Sequence, residues 1–339
     1  MRIDRILTAG FVVLVSTAIV GFSTGNTGAS FTGTTTNPAQ ILNTQSVTPP
    51  ASFTSATSAV AGRIDLVWTA TTSAAGSHTL TYLVLRGPVG GPYAQIGTTS
   101  SLTYSDTPGA DGTYEYVVQT KIAQGSGFFT SGNSATKSTK SDRTAPTMSA
   151  TCNGGSCAGW FNGAVTFVVS GADGSGVGMG TATANVDGAE ATTSAAPHTV
   201  TVSGESATHS VVYSGADAVG NASGNTSQAV QIDLTAPTAP TALTSAQGGT
   251  GAPITVDLGW TAATDALSGV AGYTVHWVAA NPCPVVSAAN YPNTATVGAV
   301  TSYSISGIAT TRYCAYLTTT DNAGNVSTPT AFTGPTIAR

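Results

Sequence analysis

Apolar and polar residues alternate in short runs along most of the chain. Arg63-Ile64-Asp65-Leu66-Val67-Trp68 places Ile64, Leu66 and Trp68 on one face of a strand. Tyr82-Leu83-Val84-Leu85-Arg86 predicts the next strand, followed by a Gly-Pro-rich turn over 87–92. A second turn over 106–112 leads into a long strand beginning Thr113-Tyr114-Glu115-Tyr116-Val117-Val118. The same succession recurs as Leu258-Gly259-Trp260, Tyr273-Thr274-Val275-His276-Trp277 and Tyr313-Cys314-Ala315-Tyr316-Leu317.

Composition agrees with this pattern. Charged residues are 7% of the 339, against about 25% in ordinary soluble domains. Ser and Thr, about 28% together, must therefore cover much of the surface. Strong helix formers are scarce and Thr, Val and Gly abundant, which excludes a helical bundle and predicts an all-β chain. The net charge of −5 offers no basic stripe for a phosphate backbone, so no nucleic-acid partner is expected.

The chain also repeats itself. Asp142-Arg143-Thr144-Ala145-Pro146-Thr147 returns as Asp233-Leu234-Thr235-Ala236-Pro237-Thr238, about 90 residues on, which is close to the length of one immunoglobulin-type sandwich. The prolines suit boundaries, because they cannot donate into a central strand. Thr48-Pro49-Pro50-Ala51 is an earlier boundary of the same kind. Domains are accordingly expected at 48–141, 142–236 and 237–339.

On these residues the first and third units resemble fibronectin type III domains. The likeness rests on Trp68 and Trp260, on Tyr82 and Tyr273, and on Tyr114 and Tyr313 at the tyrosine-corner position. The middle unit resembles the bacterial Ig-like domains of secreted surface proteins, through Asp142 to Pro146, Gly159-Trp160-Phe161, Asp173-Gly174-Ser175-Gly176-Val177 and Asp217-Ala218-Val219-Gly220-Asn221. The resemblance implies three tandem immunoglobulin-like or fibronectin type III-like β-sandwiches in an exported bacterial protein.

Residues 1–30 read as a signal peptide. Arg2 and Arg5 precede an apolar run from Ile6 to Phe22, and small residues follow, with cleavage expected after Ala29 or Ser30. The alternative is an uncleaved anchor, the chain's one expected link to a membrane. Residues 31–47 form a Thr-rich linker, or a donor strand able to complete a neighbour's sheet. This stretch resembles the cleavage region of camelysin and biofilm-fibre secreted proteins, which implies that Phe31 opens the mature chain.

Candidate chemistry is sparse. An oxidising compartment predicts two disulfides, Cys152–Cys157 across a Gly-rich turn and Cys283–Cys314. Strand alternation points Cys314 away from the core, so the second bridge should pin the insert 279–293 across the outer face of a sheet. Asp173 with Asp217, and Asp265 with Asp321, lie in loops that share one end of a sandwich. Two carboxylates fall short of the 6–8 oxygens that Ca²⁺ takes. The preferred reading is that each Asp accepts N–H groups of its own turn, so no metal and no cofactor are expected. Phe128, Phe129 and Tyr291 are candidate exposed aromatics for ligand contact. No nucleophile elbow, zinc motif or phosphate loop is present in the sequence.

These readings predict a secreted or cell-surface, non-catalytic protein for adhesion, spacing or ligand presentation at a bacterial surface. Its expected partners are an extracellular protein or a polysaccharide. The alternatives are a fibre subunit that self-assembles through 31–47, and a carbohydrate-binding accessory protein.

Overall fold

Each alternating run becomes a strand, and the strands sort into paired sheets that face one another across an apolar core. The computed structural model describes residues 29–31, 44–76, 78–248, 254–334 and 336–337. The apolar run of the expected signal peptide, and most of the Thr-rich stretch after it, lie outside these residues. Two short strands there, β1 (Ala29–Phe31) and β2 (Thr44–Ser46), pair antiparallel. No helix among the described residues is long and apolar enough to cross a membrane.

The chain divides into two compact units. The first comprises residues up to 147 together with the loops 172–180 and 216–223; the second comprises the remainder.

In the first unit, β3 (Phe53–Ser58), β4 (Ile64–Trp68) and β7 (Thr103–Asp106) form a three-stranded sheet in the order β3-β4-β7. The facing sheet runs β10-β8-β5-β6, with β5 (Thr79–Gly87), β6 (Ala94–Thr99), β8 (Gly112–Gln124) and β10 (Lys137–Ser141); β9 (Gly127–Thr130) pairs with β8. Phe53, Ile64, Leu66 and Trp68 from one sheet meet Tyr82, Val84, Tyr116 and Val118 from the other. The Trp68 ring stands edge-on to Tyr82 at 5.6 Å and to Phe53 at 6.3 Å. Tyr82 keeps its hydroxyl satisfied by accepting the Thr71 N–H. The Tyr114 hydroxyl donates to the Ala110 carbonyl at 3.0 Å, the backbone bond of a tyrosine corner.

The second unit holds the body of the middle sandwich. Its smaller sheet is β11 (Thr147–Cys152), β13 (Val165–Ala172) and β16 (His198–Val202). The larger runs β12-β18-β17-β14-β15, with β12 (Trp160–Phe161), β14 (Met179–Val186), β15 (Thr192–Ala195), β17 (Ser206–Asp217) and β18 (Thr226–Ile232). β12 joins β18 in parallel, a pairing that the first sandwich lacks. Phe167 packs on Tyr213 at 5.8 Å inside the core, and Cys152 and Cys157 are bridged.

One buried polar pair here titrates. His209 Nδ1 lies 2.6 Å from Asp187 Oδ2, and its Nε2 lies 3.0 Å from the Gly204 carbonyl. Burial alone would lower the His209 pKa, but the Gly204 carbonyl and the Asp187 carboxylate outweigh it and raise the value above the ordinary 6.5. Asp187 is lowered, first by the Ser210 N–H and then by His209. The raised histidine contributes stability that is complete below its unfolded pKa and is lost as pH climbs through the folded one; the lowered aspartate loses its share as pH falls through its folded value. The melting temperature of wild type is therefore expected to fall as pH rises from about 6 to 8, and calorimetry of Asp187→Asn should show a flatter profile.

The third sandwich, also in the second unit, repeats the first. β19 (Thr241–Gly248), β20 (Thr255–Thr261) and β23 (Ser302–Ser306) face β21 (Val270–Ala279), β22 (Asn293–Val297), β24 (Arg312–Asp321) and β25 (Thr330–Ala331), and β26 (Thr336–Ile337) pairs with β24. Trp260 stands 5.3 Å from Tyr273, whose hydroxyl accepts the Ala263 N–H. Along β24, Tyr313, Ala315 and Leu317 enter this core. Cys314 and Tyr316 face the other way, into a second small core with Tyr291, covered by Val278, Ala280, Cys283 and Val286 of the strand end and the insert.

Candidate functional site

Ionisable side chains converge at two places, and the two are built alike. In the first unit the linker residue Asp142 follows β10 and is wholly buried. Its Oδ1 accepts the Thr144 N–H at 3.1 Å and its Oδ2 the Val177 N–H at 2.7 Å. Asp173 follows β13, and its Oδ2 accepts the Gly178 N–H at 2.7 Å. Gly176 is required beside it, because a Cβ there would stand 2.1 Å from Asp173 Oδ2. Asp217 ends β17, and its Oδ1 accepts the N–H groups of Val219, Gly220 and Asn221 at 2.7–2.9 Å. Asn221 Nδ2 donates both to Asp217 Oδ2 and to the Asp142 carbonyl, while Asn221 Oδ1 accepts the Ala61 N–H. One oxygen from each of the three aspartates lies within 4.8 Å of the others.

The second unit repeats this arrangement one sandwich later. Asp233, wholly buried, accepts the N–H groups of Thr235 and Ser268. Asp265 Oδ2 accepts those of Leu267 and Gly269. Asp321 accepts those of Ala323 and Asn325, and Asn325 Nδ2 donates to Asp321 Oδ2 and to the Asp233 carbonyl. Again three carboxylate oxygens lie within 4.8 Å of one another. Each linker is also held from the sandwich before it: Thr144 by Asp111, and Thr235 by Glu205.

Sequence reasoning named two of the three acids in each group, and the structure brings each named pair together. It missed Asp142 and Asp233, although both stand in the repeated linker that it used as a boundary marker. The turn N–H groups do reach the loop aspartates, as the turn reading required. The linker acids add a third carboxylate that the turn reading did not include.

The other candidate residues disperse. Phe128 is 59% exposed with the Lys121 ammonium 4.4 Å from its ring centroid, whereas Phe129 is half-buried. They form β9 rather than a turn, pairing with Ala123 and Ile122. The expectation for Tyr291 is corrected: it is 1% exposed, with its ring edge-on to Tyr316 at 4.9 Å and its hydroxyl donating to the Pro284 carbonyl. The insert folds back over the sheet and shuts the ring in, so it cannot meet a ligand. Both expected disulfides are formed, Cys152–Cys157 and Cys283–Cys314. His276 stacks on its cross-strand neighbour Tyr316 at 4.3 Å, and burial lowers its pKa. His198 sits between the Thr192 and Ser194 hydroxyls; among the described residues no carboxylate bonds to it, so this pair has no group to orient the imidazole as a base.

The strand orders define the class: tandem antiparallel β-sandwiches of the fibronectin type III and immunoglobulin-like kind. No family model matches the chain, and no curated protein does. Among solved structures the chain is similar to the FN1–FN3 domains of chicken CNTN1, at 13% identity, covering 91% of this chain and 97% of that one with a TM-score of 0.37. It is also similar to domains A168–A170 of titin, at 14% identity, covering 81% and 92% with a TM-score of 0.36.

Proposed function

We propose that the protein is an exported, non-catalytic spacer and ligand-presenting protein of a bacterial surface. The observation that supports this best is the repeated linker arrangement. In both copies the converging polar side chains spend their hydrogen bonds on linker and loop backbone, so they hold chain segments in place. They do not line a cleft in which a substrate would lie. Two disulfides suit an oxidising compartment, and a Ser/Thr-rich, weakly charged exterior suits passive display. The expected partner is an extracellular protein or polysaccharide.

The test is made on producing cells. Protein found in the medium or open to added protease on intact cells, with both bridges intact by non-reducing peptide mapping, is the expected result. Beads coated with it should then retain on a panel of extracellular matrices. Cytoplasmic retention with reduced cysteines would overturn the proposal.

A further inference from the structure

The two aspartate groups carry an electrostatic problem that their hydrogen bonds do not remove. Asp233 is wholly buried, Asp321 is 2% exposed and Asp265 is half-buried. Three carboxylates this close, out of water, repel one another unless a positive charge is present. Among the described residues the ion pairs are Arg63–Asp65, Arg86–Asp106 and His209–Asp187, and none reaches either group.

A second observation comes from a residue that is not an acid. Ser268 is more than nine-tenths buried, and its Oγ has no hydrogen-bond partner, although it lies against the Asp233 carboxylate. The first group has its own orphan: Asp173, equally buried, leaves Oδ1 without a partner. Buried oxygens without donors are rare in native structures and call for an occupant. The donor set is all oxygen, three anionic carboxylates and a hydroxyl. That suits a hard divalent cation and excludes a soft one. The irregular spread, up to 4.8 Å between oxygens, suits the flexible shell of Ca²⁺ better than the strict octahedron of Mg²⁺.

We propose that Asp233, Asp265 and Asp321 bind a calcium ion with Ser268, and that Asp142, Asp173 and Asp217 form a second such site. The ion ties a linker to two loops of the sandwich that follows it. The two sites differ in one respect. Lys140 Nζ donates to the Gly176 carbonyl beside the first group, whereas Gln231 holds the corresponding place before Asp233. The site at Asp233 is thus the tighter.

The experiment titrates CaCl₂ into the mature chain, stripped of metal with chelator, by calorimetry and by thermal melting. Two ions per chain are expected, with a dissociation constant on the order of 10⁻⁴ to 10⁻³ M for the tighter site. A melting shift of roughly 10 °C is expected at a hundredfold excess over that constant, and a smaller shift with MgCl₂. Asp265→Asn keeps an oxygen for the Leu267 and Gly269 N–H groups but removes the charge, and should bind one ion instead of two. Asp173→Asn does the same for the other site and stands in if the first variant fails to fold. Absence of heat and of any melting shift in wild type up to about 10 mM CaCl₂ overturns the proposal, as does a stoichiometry that neither variant changes.

Discussion

Trp68→Ala is expected to destabilise the first sandwich by about 3–5 kcal/mol. The ring is 2% exposed and fills the space between the two sheets, in contact with Phe53 and Tyr82. Removing it deletes its apolar burial and leaves a cavity whose walls are strands held by their own ladders, so they cannot close in. Tyr82 loses the partner that fixes its ring, and with it the aim of its hydroxyl toward the Thr71 N–H. The indole Nε1 finds no partner inside, so Trp68→Phe deletes an unsatisfied donor while keeping most of the volume, and should cost markedly less. Scanning calorimetry of the full chain separates the cases. One transition should fall by more than about 12 °C for Ala, with the others in place. A fall below about 4 °C would show that the ring is not the keystone of that core.

That Trp68 belongs in the core was legible because period-two alternation places it with Ile64 and Leu66 whatever surrounds the strand. Cys314 was legible for the same reason, with Tyr313 and Ala315 pointing inward on either side. Tyr291 was not. It stands in an insert with no alternation, and its burial depends on a sheet face met only after the chain folds back. Phe128 and Phe129 were hidden by Gly125-Ser126-Gly127, which reads as a turn and is the turn between two paired strands. The parallel pairing of β12 rests on two residues, too few for any period to show. The aspartates were half legible. Loop order implied that Asp265 and Asp321 approach each other, but a linker has no periodicity to say where its side chains point. Asp233 is placed by its own turn, where Oδ1 takes the Thr235 N–H and Oδ2 the Ser268 N–H. Pro237, lacking an N–H, keeps that segment out of a central ladder. The sign of such a site in sequence is therefore an acid just before a boundary proline, combined with two loop acids of the next sandwich.

The double variant Cys283→Ser, Cys314→Ser is expected to cost about 4 kcal/mol and to free the insert without dissolving the third sandwich. The bridge spans a sequence separation of 31, for which chain entropy predicts about 3–4 kcal/mol. The Cys152–Cys157 bridge, with a separation of 5, predicts about 2 kcal/mol by the same argument. Part of the larger cost stays local, because Tyr291 and Tyr316 form a core of their own on the far side of β24 from Trp260, and that small core has no sheet on its outer side. Once the bridge is gone, the insert is held by those two rings, Val286 and the Tyr291 hydroxyl bond to Pro284. Such a patch opens at far less than the global unfolding free energy. Limited proteolysis should cut the double variant between residues 279 and 293 under conditions that leave wild type whole. The Trp260–Tyr273 core should still melt cooperatively, at a lower temperature. The matched pair of serines at 152 and 157 should show the smaller loss and no new cleavage in the insert. Equal losses for the two bridges, or an insert as resistant without its bridge as with it, would mean that the rings alone fasten it and that the disulfide adds nothing the fold requires.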